Sequence, residues 1–388
     1  MRVAPVKLPG SIDAAAVDLL RTLSAPDGIH ASASTAATAN YRAVFTRDAV
    51  MAGIAGLLLK DDVISTALVQ TLEHLRALQG PEGQIASNFE IRAGHAPAVS
   101  FGTLAPRFDS ATWYLLGVAF AARAQVLDPE PFRESVRSVV RLLAALEYNG
   151  RHLIFVPPGG NWADEYIYDG YVLYDQVLRA WALRLLGTTY SEVAWIEKSL
   201  QIQQVISERY WPAADGQRHF PLASFSPTRT HDVFDLAACS LLSMSDVAQP
   251  IGDAALEWIA EHFLRRSALP PVFHPVIDES HPDWPALRRY HLHAFRNHPH
   301  EYHNGGIWPI WLGWLALALA HRGRAADLDR LRHEVHERLH RQGAFSFEEF
   351  LHGRTGAPGG VGQMAYTATG LTFLRLAGST GQRRVFTA

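Results

Sequence analysis

An all-α chain closed into an (α/α)6 toroid, six helical hairpins forming an inner and an outer ring, is what this sequence predicts, and three features carry the expectation. Apolar residues recur at helical spacing from end to end, while strand-type alternation is scarce. The helical segments come in close pairs, with short joins inside a pair and longer ones between pairs. Some segments are apolar almost all the way round, the mark of a helix buried on every side, whereas others carry a charged face. The segments number twelve: 11–24, 47–59, 61–78, 110–126, 131–147, 170–186, 190–210, 231–244, 251–266, 306–322, 325–341 and 363–377. No repeat of fixed period is visible, which argues against an open solenoid. The expectation is one domain over residues 1–388.

Taken in order, the segments show their own signals. Ile64, Leu68, Leu72, Leu75 and Leu78 lie at helical spacing, started by Asp61 and Asp62 and stopped near Gly80. Asp109 reads as an N-cap for 110–126. Tyr171 to Leu186 and Val193 to Tyr210 form a pair, with Gly187 between them and Ser191 as N-cap candidate. Ile310 to Ala320 is apolar all round, so 306–322 belongs inside, as do 47–59, 110–126, 170–186, 231–244 and 363–377. The charged 325–341 belongs outside. Segment 267–301, rich in Pro and His, has no helical period and is expected to be a long functional loop.

Composition narrows the class of function. Hydrophobic residues make up 48% and charged ones 19%, with ten tryptophans, so there is ample material for a core. A net charge of −3 with no block of like charge argues against a nucleic-acid surface. The single cysteine, Cys239, excludes a disulfide framework. Neither a signal-peptide core nor a membrane-spanning run is present, so a soluble, cytoplasmic protein is expected; oligomeric state carries no signal.

Four polar clusters fall at the joins between pairs, and the loops there are expected to build one pocket. They are Tyr41 to Asp48, holding Arg47 and Asp48; Val99 to Trp113, holding Asp109; Gly160 to Tyr166, holding Trp162, Asp164 and Glu165; and Phe345 to Gly356, holding Glu348 and Glu349. A fifth stretch, Tyr302 to Pro309, puts Tyr302, His303, Asn304 and Trp308 at the mouth of a buried helix. Hydrogen-bonding groups beside flat apolar faces suit a sugar, and nothing in Gly305 or Gly306 obstructs a ligand. Acids set among aromatic residues have raised pKa values, and a pair of carboxyls, one protonated and one ionised, is what glycoside hydrolysis requires. No Gly-rich phosphate loop, Gly-x-Ser-x-Gly or metal-ligand spacing is found. His274, His281, His291, His293, His298, His300 and His303 crowd one region but match no zinc pattern, so neither metal nor cofactor is expected. A sugar epimerase using histidines, and a carbohydrate-binding protein without turnover, are the competing classes.

The order of these clusters resembles that of the (α/α)6 glycoside hydrolases, especially the alkaline/neutral invertases. Arg47-Asp48 opening an early helix, Asp109-Ser110-Ala111-Thr112-Trp113, and above all Tyr302-His303-Asn304-Gly305-Gly306-Ile307-Trp308-Pro309 carry the similarity, with Glu349 before the turn Gly353-Arg354-Thr355-Gly356. Trp162-Ala163-Asp164 is closer to debranching-type α-glucosidases. The resemblance implies an inverting hydrolase of a small α-linked glycoside. Asp164 would be the general acid, with Asp109 as its competitor, and Glu349 the general base; Arg47, Asp48, Asp109, Trp162, Tyr302, His303, Asn304 and Trp308 would bind the sugar. Sucrose-like sugars, α-glucosides and glucosylglycerate or mannosylglycerate are the substrates it suggests. Loops 80–108, 212–230 and 267–301 would set the aglycone.

Overall fold

Six helices pack side by side in a closed ring, each reached through one outer helix. The computed structural model describes residues 12–35, 39–102, 105–147, 150–211, 219–289, 291, 294–341 and 345–386; residue 11, Thr103, 212–218 and His293 of the expectations above lie outside them. The inner ring is α2 (Thr46–Leu59), α4 (Phe108–Arg123), α6 (Leu173–Tyr190), α8 (Leu236–Ser245), α11 (Pro309–His321) and α13 (Ala365–Leu376). Each packs on the next, and α13 packs back on α2. The outer helices are α1 (Ile12–Leu23), α3 (Asp62–Ala77), α5 (Arg133–Ala145), α7 (Val193–Arg209), α9 (Gln249–His262) and α12 (Ala325–Arg341). This is the toroid expected from the segment pairing, with the inner set as assigned. Among the described residues, no helix is long and apolar enough to cross a membrane.

Because inner and outer helices alternate, all inner helices run the same way. Their C-termini lead at once into outer helices, as at Lys60-Asp61, where the Asp61 carboxylate accepts from the Val63 and Ile64 amides at 3.1 Å. Their N-termini are reached by the long connections, so those connections gather at one end. Short antiparallel strands staple them there: Val44–Phe45, Asn88–Glu90 and Ala98–Ser100 form one sheet, and Tyr171–Val172, Ser224–Phe225 and Thr230–His231 another. Phe273–His274 pairs with Phe234–Asp235.

These staples move two predicted boundaries. Helix α6 begins at Leu173 and α8 at Leu236, because the residues before them sit in strands. Ser191 is not an N-cap: it closes α6 in the left-handed conformation, while Gly187 lies within α6, where an added Cβ would meet Ile196 Cγ1 of α7 at 2.6 Å. Among its described residues, segment 267–301 holds one short helix, α10 (Trp284–Leu287). At the opposite end, α14 (Thr380–Phe386) tucks Phe386 against Phe120, Trp181 and Trp314 at ring separations of 5.2, 6.0 and 5.8 Å. That aromatic cluster ties α14 to α4, α6 and α11 at the end away from the inner-helix N-termini. Cys239 is buried on α8 and free, in keeping with a packing role.

Candidate active site

The pocket lies where the six inner N-termini converge, an arrangement whose aligned peptide dipoles favour negative charge. Acidic residues answer it: Asp48, Asp109 and Asp175 stand in the first turns of α2, α4 and α6, and Asp235 caps α8. Asp109 was expected to cap its helix. Instead Arg107 occupies the N-cap position without a side-chain bond, and the Asp109 carboxylate, fully buried, takes hydrogen bonds from Arg47 Nη1 at 2.8 Å and the Tyr174 hydroxyl at 3.3 Å. Arg47 in turn lies beside Asp48, its Nε 3.6 Å from Oδ1, and its guanidinium is 5.8 Å from the Tyr366 ring centre. Burial raises Asp48 to about 6 despite Arg47.

Above this floor stands an aromatic wall. Trp162 stacks on Phe273 at 5.6 Å, meets His303 and Trp308 edge-on at 5.1 and 5.8 Å, and Trp308 stacks on His303 at 5.5 Å. The wall exists because Tyr302 adopts the left-handed conformation and Gly305 follows at φ +88°, folding the chain so tightly that the Trp308 indole donates back to the Tyr302 carbonyl at 3.0 Å. Several buried polar atoms here have no hydrogen-bond partner among the described residues: Asp48 Oδ1, Asp109 Oδ1, Trp162 Nε1, Tyr366 Oη and both His303 ring nitrogens. Buried polar atoms are ordinarily satisfied, so such a cluster invites a polyhydroxylated ligand. Burial and the nearby Arg296, Arg47 and Arg107 hold His303 neutral, well below the usual imidazole range.

Asn304 behaves differently from its neighbours. Its amide is entirely committed, accepting from the Ile277 amide at 2.8 Å and donating to the Ile277 and Asn297 carbonyls at 2.7 and 3.1 Å. It fastens segment 267–301 rather than presenting a free group to the pocket.

Two carboxyls hang over the floor from opposite loops. Asp164 is a quarter exposed and accepts from Arg107 Nη2 at 2.6 Å; burial nonetheless raises its pKa. Its loop is fixed from beneath, since Asn161 accepts from the Ala163 amide at 3.1 Å and donates to Asp175 at 2.9 Å. Glu349 is buried, accepts from the Tyr41 hydroxyl at 3.2 Å, and is pushed up to about 7 by burial. The hydroxyls of Tyr41 and Tyr302 feel the charge of both carboxyls. Glu348 turns away, its Oε2 accepting from the Ser346 amide at 2.9 Å. Of the neighbouring acids, Glu165 is buried in a two-pronged pair with Arg296, at 3.1 and 2.8 Å. Tyr41, Arg107, Asn161, Asp175 and Arg296 were absent from the expected set; only Asn161, three residues before Asp164, had a legible cue, as the Asx turn of a loop start.

The raised carboxyls bear on stability with a definite sign. A carboxyl whose folded pKa exceeds its unfolded one favours the fold at low pH, and that contribution is lost as pH climbs from the unfolded value, about 4.3 for Glu, through the folded one. Glu349→Gln is therefore expected to melt higher than the wild type at about pH 8, with the gap closing toward about pH 5. Equal melting differences at the two pH values would refute it.

This architecture defines the class: an (α/α)6 toroid with an acidic, aromatic pocket at the inner-helix N-termini, a fold shared with glycosidases of known structure. One such structure is the GH63 mannosylglycerate hydrolase from Thermus thermophilus in complex with glucose, at TM-score 0.66 and 16% identity, covering 94% of this chain and 99% of that one. Another, described as a wild-type glycosidase, gives TM-score 0.65 at 14% identity over 95% and 96% of the two chains. A rhamnosidase from Klebsiella oxytoca with rhamnose bound gives 0.62 at 11% identity, covering 96% of this chain and 65% of that one. No family model matches the sequence, and no curated protein matches it either.

Proposed function

We propose that this chain is an inverting glycoside hydrolase of a small α-linked glycoside, an α-glucoside or sucrose-like sugar, acting as a single catalytic domain over residues 1–388. The observation that carries the reading is the pair of carboxyls with raised pKa, Asp164 and Glu349, held on opposing loops above a floor of buried polar atoms that lack hydrogen-bond partners among the described residues. In this reading Asp164 protonates the leaving oxygen, and ionised Glu349 activates a water on the opposite face of the sugar. Carboxyls about 6.5–9.5 Å apart leave room for that water. Arg47, Asp48, Asp109, Trp162, Tyr302, His303 and Trp308 bind the sugar ring, and Asn304 positions them. The Tyr302 to Pro309 segment supports an invertase-like glycone site.

A second reading of the substrate, glucosylglycerate or mannosylglycerate, is favoured by Arg107 and Arg296 beside the carboxyls, two guanidiniums suited to an anionic aglycone. It is also in keeping with a similar structure described as a complex with Tris and D-glycerate. Incubating the protein with sucrose, trehalose, maltose, isomaltose, glucosylglycerol, glucosylglycerate and mannosylglycerate and measuring released monosaccharide tests both. Binding without release across the panel would leave a carbohydrate-binding protein, and solvent deuterium entering a sugar carbon would mean an epimerase.

A further inference from the structure

Segment 267–301 carries a group that faces both halves of the pocket. Arg296 reaches from it to Glu165, the neighbour of Asp164, through Nε at 3.1 Å and Nη2 at 2.8 Å. The same guanidinium lies over the Tyr302 ring, 4.0 Å from its centre, and Tyr302 meets Phe350, the neighbour of Glu349, at 5.7 Å. Asn297 locks the position, donating to the Glu165 carbonyl and accepting from the His303 amide at 3.0 Å. We propose that Arg296 is a positioning residue for both carboxyls: it clamps the loop bearing Asp164 through Glu165 and holds a fixed positive charge facing Glu349. The proposal rests on the hydrolase reading above.

The charge balance around the pair gives this its consequence. Glu349 faces Arg296, the Tyr41 and Tyr302 hydroxyls and the Asp48 carboxyl, and Arg296 is the chief group favouring its ionised form. Asp164 faces Arg107, Glu165, Arg47 and Arg296. A nearby cation lowers a carboxyl's pKa, so removing Arg296 raises both. The acid limb of kcat/KM reports the group that must be ionised and the alkaline limb the group that must be protonated. Both limbs then slide to higher pH together, whichever carboxyl serves as acid. A clamp that acted only by shape would lower the curve without moving it.

The test is the pH dependence of kcat/KM for wild type, Arg296→Gln and Arg296→Lys on the best substrate of the panel. For Arg296→Gln we expect both limbs to rise by about one pH unit, a roughly tenfold loss of kcat/KM on the acid side. Arg296→Lys keeps the charge but not the two-pronged grip, so its limbs should stay near wild type while kcat falls. Should Arg296→Gln leave buried Glu165 too destabilised to fold, Arg296→Gln with Glu165→Gln removes both charges and should still raise the limb that Glu349 sets. Unmoved limbs in an active, folded Gln variant, or Lys moving them as far as Gln does, overturn the proposal alone. A wild type inert across the panel overturns the hydrolase reading itself.

Discussion

Asp164→Asn and Glu349→Gln are each expected to lower kcat by about 10²–10⁴-fold on a glycoside with a poor leaving group, the range contributed by a positioned acid or base. Both changes keep shape and remove a proton-transfer group, and circular dichroism should show both variants folded. Fluoride departs with little protonation, so a glycosyl fluoride should restore much of the activity of Asp164→Asn and none of that of Glu349→Gln. Proton NMR should show the β-anomer forming first from an α-linked substrate. First appearance of the α-anomer would mean retention and a nucleophile about 5–5.5 Å from the acid. The free pocket pulls in the other direction on one point: Arg107 grips Asp164, whereas burial keeps Glu349 protonated up to about 7. Rescue of Glu349→Gln by fluoride would therefore transfer the acid role to Glu349 and the base role to Asp164. Glu348→Gln should leave kcat near wild type, since that side chain folds back on its own turn.

Gly370→Ala is expected to cost about 3 kcal/mol, the upper end of what overpacking usually costs, and several degrees of melting temperature. Helices α11 and α13 cross backbone to backbone. A Cβ on Gly370 would sit 2.5 Å from the Ile310 Cα and closer still to Pro309, and one on Gly313 would sit 2.7 Å from the Gly370 Cα. Backbone cannot swing aside as a side chain can, so the two helices must part. Trp308 and Tyr366, 6.2 Å apart at the mouth of that crossing, would part with them, and KM should rise along with the loss of stability. A melting temperature within a degree or so of wild type would show that the ring yields more easily than close packing implies.

The ring was legible because burial on all sides leaves a mark that needs no partner to read: Ile310 to Ala320 has no polar face in any orientation. The strands were not, since two-residue staples such as Tyr171–Val172 are too short for alternation to appear. Pocket residues with a distinctive local pattern, such as Tyr302 to Trp308, could be placed from their neighbours alone. Those whose part depends on a distant partner could not. Arg47 reaches Asp109 across 62 positions, Tyr41 reaches Glu349 across 308, and Asp109 resembles a helix cap until its partner is seen. Asn304 reads like a ligand group for the same reason: its bonds to Ile277 join a segment with no period of its own.

Closure of α13 onto α2 also governs how the molecule can be made. Until Ala365–Leu376 has left the ribosome, α2 and α11 each lack an inner-ring neighbour, and two broad apolar faces stand open to water. Glu349, which accepts from the Tyr41 hydroxyl, is synthesised 308 positions after it. The Arg47–Asp109 pair can form long before the ring closes, and the ring-closing contacts of α13 with α2 are of the slow, long-range kind. Self-association during synthesis, rather than loss of the finished fold, is the hazard this topology sets, and the late meeting of α13 with α2 is where a chaperone would act.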